Sequence, residues 1–298
     1  MLDSLTWWMW GIIALDLAVA AAAICVMRYG AGLLFGVDTK DELAEKDNFA
    51  FGIALAGGMA AVAVILAGVV SGEASVEWSA ELRTVVLYAV VGLALLKIGI
   101  LINDAIIFHR FSIRDALGDK NIAAGTVQAA NLLALGVLIN GAIGWAEGVG
   151  WQSLLSVAIV FFLSQIVLLG VTRLRSAIYA RRHEGARLQL AIEGGNAALA
   201  IRYAGHLLGT ALAASSASAM VSYLPGNAME LVMLYGTWLA WAVVLAVVLS
   251  VLSIIAQRVV LMGIDMVEEV DNQQNIGVAA IEAAIFIGFG LIITGVLG

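Results

Sequence analysis

A chain of 298 residues with a net charge of -7 that is 62% hydrophobic and only 12% charged, at a mean hydropathy of +1.01, is too apolar for a soluble globule. Soluble domains are about half apolar and about a quarter charged, so most of this chain must be solvated by lipid. The apolar runs far exceed the roughly ten-residue alternating segments of a membrane barrel, and the single cysteine, Cys25, excludes an intrachain disulfide or a cysteine-based metal cluster.

At about 20 apolar residues per crossing, the spans fall at Trp7–Phe35, Asn48–Val70, Glu81–Phe108, Asn121–Trp145, Gln152–Ile178, Gly195–Ser222, Glu230–Val260 and Asn275–Gly298. The first has no basic start and no stretch resembling a cleavage site, so it reads as a retained helix. The expectation is an all-α polytopic membrane protein with eight transmembrane helices. Twelve of the fifteen Lys and Arg residues lie in or beside the first, third, fifth and seventh connections, which the positive-inside rule makes cytoplasmic. The other connections carry Glu73, Glu77, Glu81, Glu147 and Glu230 with Arg83 as their only base, and they face outward with both termini. All eight tryptophans fall at or near the outer ends of spans, where an indole can sit among headgroups.

An internal repeat follows from aligning the cytoplasmic loops on an asparagine. The segments begin at Asn48, Asn121, Asn196 and Asn275, spaced by 73, 75 and 79 residues, and each places Gly or Ala two, four, eight and nine residues after the Asn. Positions four and eight share a helix face. They predict small-residue ridges at Gly52/Ala56, Gly125/Ala129, Ala200/Ala204 and Ala279/Ala283, by which the even-numbered spans pack around a pseudo-symmetry axis along the membrane normal. The units are four parallel-repeat helix hairpins, N-out/C-out, grouped as four-helix domains over residues 1–147 and 148–298.

The Asn-x-Ala-x-Ala/Gly start of a helix after a short polar loop resembles the bacterial inner-membrane family catalogued as domain of unknown function 350, in two tandem copies over nearly the whole chain. The fit departs where Gly277 replaces Ala and where the third loop, Arg173–Gly195, is longer and more basic. The resemblance implies a prokaryotic inner-membrane location and no particular activity.

The repeated asparagines have two readings. They cap their helices, or with four helix N-termini they form a cytoplasmic vestibule that favours anions. Seven residues after each Asn the copies diverge to Leu55, Gln128, Tyr203 and Glu282, with Arg202 beside Tyr203. Charges at that depth cost roughly 2.5–3.5 kcal/mol on insertion scales, so they point inward and pair. Arg202 is the natural partner of Glu282, either as a structural ion pair or as part of a permeation path. Asp16 and Lys97 sit well inside apolar runs and suggest a buried pair, while His206 shares a helix face with Arg202. Asp16, Lys97, Gln128, Arg202, His206 and Glu282 are therefore the candidate lining of a substrate or ion path.

A bis-His haem would need a second histidine at the depth of His206, and no catalytic or metal motif is present; no cofactor and no enzymatic activity are expected. Arg173, Arg175, Arg181, Arg182 and Arg187 form a basic loop suited to anionic lipid or an acidic cytoplasmic protein, and the acidic loop Asp265–Asp271 offers it the opposite charge across the bundle. Homo-oligomer formation is open, and nucleic acid is not an expected partner. The leading reading is a small-ion or solute channel or transporter; the rival is a structural or interaction subunit of a membrane complex.

Overall fold

The computed structural model describes residues 7–35, 37–72, 77–146, 150–224 and 226–297. Among them the chain is helical with no strand: α1 (Trp7–Phe35), α2 (Phe49–Val70), α3 (Trp78–Ile102), α4 (Ile113–Gly118), α5 (Ile122–Trp145), α6 (Trp151–Arg182), α7 (Leu188–Glu193), α8 (Ala197–Ser215), α9 (Ala217–Met220), α10 (Ala228–Val260) and α11 (Ile276–Leu297). Short π-helical turns occupy Asp41–Glu45, Asn103–Ile107 and Val267–Asn272. Eight helices are long and apolar enough to cross a membrane: α1, α2, α3 with its π turn, α5, α6, α8 with α9, α10 and α11. The expected outward Glu73 and Glu147 lie outside the described residues.

The four repeated crossings start the same way. The side-chain oxygens of Asn48, Asn121, Asn196 and Asn275 accept from the backbone N–H three residues on, at 3.0, 3.1, 2.9 and 3.2 Å. That satisfies one of the free donors of the first turn. The residue before each cap, Asp47, Lys120, Gly195 or Gln274, has φ between 48° and 87°, which turns the chain sharply from loop into helix; only Gly195 takes this left-handed conformation without strain.

The asparagines also join the repeats. Asn48 Nδ2 donates to the Leu117 carbonyl at 2.7 Å, Asn121 Nδ2 to that of Ile192 at 3.2 Å, and Asn196 Nδ2 to that of Asp271 at 3.3 Å. Each acceptor lies four residues before the asparagine of the next repeat, so every cap is bolted to its successor.

Below the caps, α2 packs on α5, α5 on α8 and α8 on α11, the most extensive helix pairings in the chain. The helices run in the same direction, because Ala50 meets Gly125, Gly57 meets Ala129 and Ala61 meets Gly136 in ascending order. A methyl group on Gly57 would lie 2.5 Å from the Ala129 Cα, and one on Gly209 would lie 2.5 Å from the Phe286 carbonyl oxygen; backbones this close exclude any side chain. The expected arrangement around an axis is thus replaced by a row, α2–α5–α8–α11, with two ends. The ridge residues Gly125, Ala200, Ala279 and Ala283 are buried in seams. Ala56, by contrast, is exposed and Gly52 is only half buried, because α2 has no preceding repeat to meet.

Other expectations need correction. The fifth span does not end at Ile178. With no Gly or Pro between Val171 and Glu184, α6 runs to Arg182 and terminates at Glu184 and Gly185, both at positive φ, so Arg173, Arg175, Arg181 and Arg182 are helical rather than a loop. The tryptophans divide as well. Trp7, Trp10 and Trp151 are exposed, but Trp238 is fully buried with its indole N–H 3.1 Å from the Ser218 hydroxyl, and Trp145 is buried too. Those two pack inside the protein rather than on its surface.

Candidate functional site

The helix starts set the depth of each polar side chain. Arg202 lies six residues beyond the Asn196 cap, His206 ten beyond it and Glu282 seven beyond Asn275, so at about 1.5 Å per residue they sit roughly 9–15 Å below the capped end. All three are buried and face one another across the seam between α8 and α11. Arg202 Nε donates to Glu282 Oε2 at 2.6 Å, and His206 Nε2 lies 3.1 Å from Glu282 Oε1, which also accepts from Gln257 Nε2 of α10 at 3.2 Å. The other end of the guanidinium donates from Nη1 to Asp271 Oδ1 and from Nη2 to the Met266 carbonyl, the latter at 3.1 Å. Asp271 in turn meets His183 Nε2 at 2.9 Å. A continuous chain of groups therefore runs from His183 through Asp271, Arg202 and Glu282 to His206.

Arg202, His206, Gln257, Met266, Asp271 and Glu282 line a cavity of about 340 Å³ between α6, α8, α10 and α11. Arg182 and Arg258 stand exposed at its mouth, with His206 and Glu282 at its floor. On one wall Arg175 places its guanidinium carbon 5.0 Å above the Phe286 ring, and its Nε is buried without a hydrogen-bond partner. Four arginines thus face two carboxylates, and Arg202 alone among the four forms an ion pair among the described residues. Of the three arginines without an ion pair, Arg182 and Arg258 face solvent, while Arg175 is held where burial weakens screening.

The first domain is built to the same plan without the charges. Asn103 Nδ2 donates to Gln128 Oε1 at 3.2 Å, and Asn103 and Gln257 each precede the cap of the next span by eighteen residues. The contact between Gln257 and Glu282 is the same framework contact with a carboxylate substituted. At the positions of Arg202 and His206 the first domain has Ala54 and Gly58, and Met27 fills the space against Gly58.

Of the six path residues expected from sequence, Arg202, His206 and Glu282 come together, and Gln128 is 2% exposed in the matching contact of the first domain. Asp16 and Lys97 do not pair. Asp16 lies within electrostatic range of Glu81 at the start of α3, and Lys97 is sixteen residues along that helix, about 24 Å away. The side chains of all four asparagines are engaged in caps, with further bonds to the next repeat for Asn48, Asn121 and Asn196 and to Glu269 of its own loop for Asn275. The basic cluster is dispersed: Arg173 donates to the Ile106 carbonyl at 2.8 Å, while Arg175 and Arg182 line the cavity. Sequence reasoning missed Gln257 and the inward aim of Arg175. The shared eighteen-residue offset of Asn103 and Gln257 was the available signal for the first.

These features define a multi-pass helical membrane protein made of tandem repeats, with a polar cavity in its second half. The chain belongs to the family described as Domain of Unknown Function (DUF350), whose model matches residues 3–143 and 149–297 as two tandem copies. No curated protein and no solved structure matches it.

Proposed function

We propose that this chain is a non-enzymatic inner-membrane protein whose second domain binds a small anionic solute, as the substrate site of a channel or transporter. In this reading the repeats are helix hairpins, both termini face outward, and the cavity opens to the cytoplasm, because the basic residues cluster at the asparagine-capped end. The observation that carries the proposal is Arg175: a largely buried guanidinium aimed into a roomy cavity, over an aromatic ring, with no carboxylate bonded to it among the described residues and an unsatisfied Nε. Buried cations are held by partners, and an anion in the cavity supplies one. The arginines at the mouth draw the same charge inward.

Titration of the detergent-purified protein with inorganic phosphate, read by thermal shift and calorimetry, tests this. Saturable stabilisation that falls at least tenfold in apparent affinity for Arg175→Gln, and not for Arg28→Gln, is expected. Phosphate without effect at millimolar concentration, together with no anion flux in proteoliposomes, would turn the argument to the second reading. That reading, a structural or interaction subunit, is favoured by one observation: the guanidinium of Arg202 is already saturated by Asp271, Glu282 and the Met266 carbonyl, as in a closed brace.

A further inference from the structure

The three seams of the row are one interface used three times. On the leading helix the contact falls nine, thirteen and twenty residues after the cap. These positions are Gly57, Ala61 and Gly68 on α2, Ala130, Ala134 and Gly141 on α5, and Gly205 and Gly209 on α8 with Ser216 just past its end. On the following helix it falls eight, fifteen and nineteen residues after the cap. Ala129 meets Gly57, Gly136 meets Ala61 and Asn140 meets Gly68; Ser215 meets Gly141; Ala283 meets Gly205 and Gly290 meets Gly209.

Both ends of the row carry an unused half of this interface. α11 presents Ala284, Gly288 and Gly295 at the leading positions: Ala284 and Gly295 are exposed, and a methyl group on Gly288 or Gly295 would meet nothing within 4 Å. α2 presents Ala56, Ala63 and Ala67 at the following positions, all exposed. The polar ladder stops at the same place. Asn48, Asn121 and Asn196 each donate to the next repeat, whereas Asn275 Nδ2 bonds only Glu269 of its own loop, at 2.7 Å.

We infer that copies of this chain assemble head to tail in the membrane, α11 of one docking on α2 of the next and continuing the row through a fourth seam of the same kind. Ala284 then packs on Ala56 of the second copy and Gly288 on its Ala63, as Gly205 packs on Ala283 and Gly209 on Gly290. Asn275 reaches the carbonyl of Ala44 in the second copy, which stands four residues before Asn48. Small-residue faces gain little from lipid, whose chains cannot follow a backbone closely, and gain contact from a helix that can. Because the two faces differ, the contact is heterologous and yields a closed ring or an open chain of copies rather than a two-fold dimer.

Cysteine cross-linking in native membranes tests the inference. In a Cys25→Ser background, the chain carrying both Ala56→Cys and Ala284→Cys should oxidise into a ladder of dimers and larger species, while either substitution alone leaves monomer. The two sites within one chain are three seams apart, about 25 Å at 8–10 Å per helix pair. That is beyond the reach of a disulfide, so any cross-link is between chains. Adding Gly288→Leu to the doubly substituted chain should cut the cross-linked fraction several-fold. A doubly substituted chain that stays monomeric overturns the inference, since lipid then covers both faces. Cross-linking by Ala56→Cys alone also overturns it, in favour of a two-fold contact. Should the substituted chains fail to fold, the mass of the unmodified protein in nanodiscs decides: several copies per disc are expected, and one copy refutes the assembly.

Discussion

Arg202 Nε lies 2.6 Å from Glu282 Oε2, a bond between residues eighty positions apart that crosses the seam of α8 and α11 with both side chains buried. Removing either partner strands a charge, which for buried pairs costs about 3–5 kcal/mol. Glu282→Gln or Arg202→Gln alone should therefore lower the melting temperature in detergent sharply, and the double substitution should cost less than the two added together. Strict additivity in this cycle would show that the two do not interact.

A second expectation concerns the seam. Gly209→Leu drives a side chain into the Phe286 backbone and should abolish folded yield, whereas Ala284→Leu, on the open face of the same pair of helices, should leave monomer folding unchanged. Fluorescence-detected size exclusion compares the two directly, and equal tolerance would contradict the close packing of α8 and α11.

The capping asparagines should differ in value. Each cap is worth about 1 kcal/mol. Asn121 also donates to the carbonyls of Ile192 and Glu193, while Asn275 bonds only within its own loop. Asn121→Ala should thus destabilise the detergent-solubilised monomer more than Asn275→Ala by roughly another 1 kcal/mol, the net worth of a further hydrogen bond, as read from denaturation midpoints.

Glu42 supplies a pH dependence outside the spans. The Lys46 ammonium, 2.8 Å away, holds its carboxyl below the usual carboxylate range; burial opposes this and the Asn48 amide, 2.6 Å away, adds to it. A carboxyl with a depressed folded pKa stabilises the fold above its ordinary range, near 4.3, and that stability is lost as pH falls through the folded value. Wild-type melting temperature should decline between pH 5 and 3 more steeply than that of Glu42→Gln, and parallel curves would remove Glu42 from the account.

The parts of the fold readable in the sequence are those that repeat. Eight apolar runs set eight crossings, and the recurring Asn marked each helix start because a cap has a fixed offset from its helix. The partnership of Arg202 with Glu282 was legible because equal offsets mean equal depth. Depth says nothing of azimuth or order, however, so a row and a ring could not be told apart. Whether Ala56 lay in a seam or at an open end depends on which repeat comes first. Falling hydropathy at each arginine suggests a loop at Arg175, but with no Gly or Pro between Val171 and Glu184 the helix keeps going. As two isolated charges in apolar runs Asp16 and Lys97 suggest a pair, but the long axis of α3 separates them.

Pulled from its C-terminal end, a row of like units has no reason to leave the bilayer at once. α11 is gripped by one neighbour in the row, whereas α5 and α8 are gripped on both sides. In a nearest-neighbour array the stability is a sum of unit and seam contributions, so rupture begins at the terminal unit and travels inward. The caps are 73, 75 and 79 residues apart, and at about 3.5 Å per extended residue each released unit lengthens the tether by roughly 260 Å. The force trace of a single molecule should carry the repeat as its period, with near-equal steps whose heights report the grip of each seam in turn.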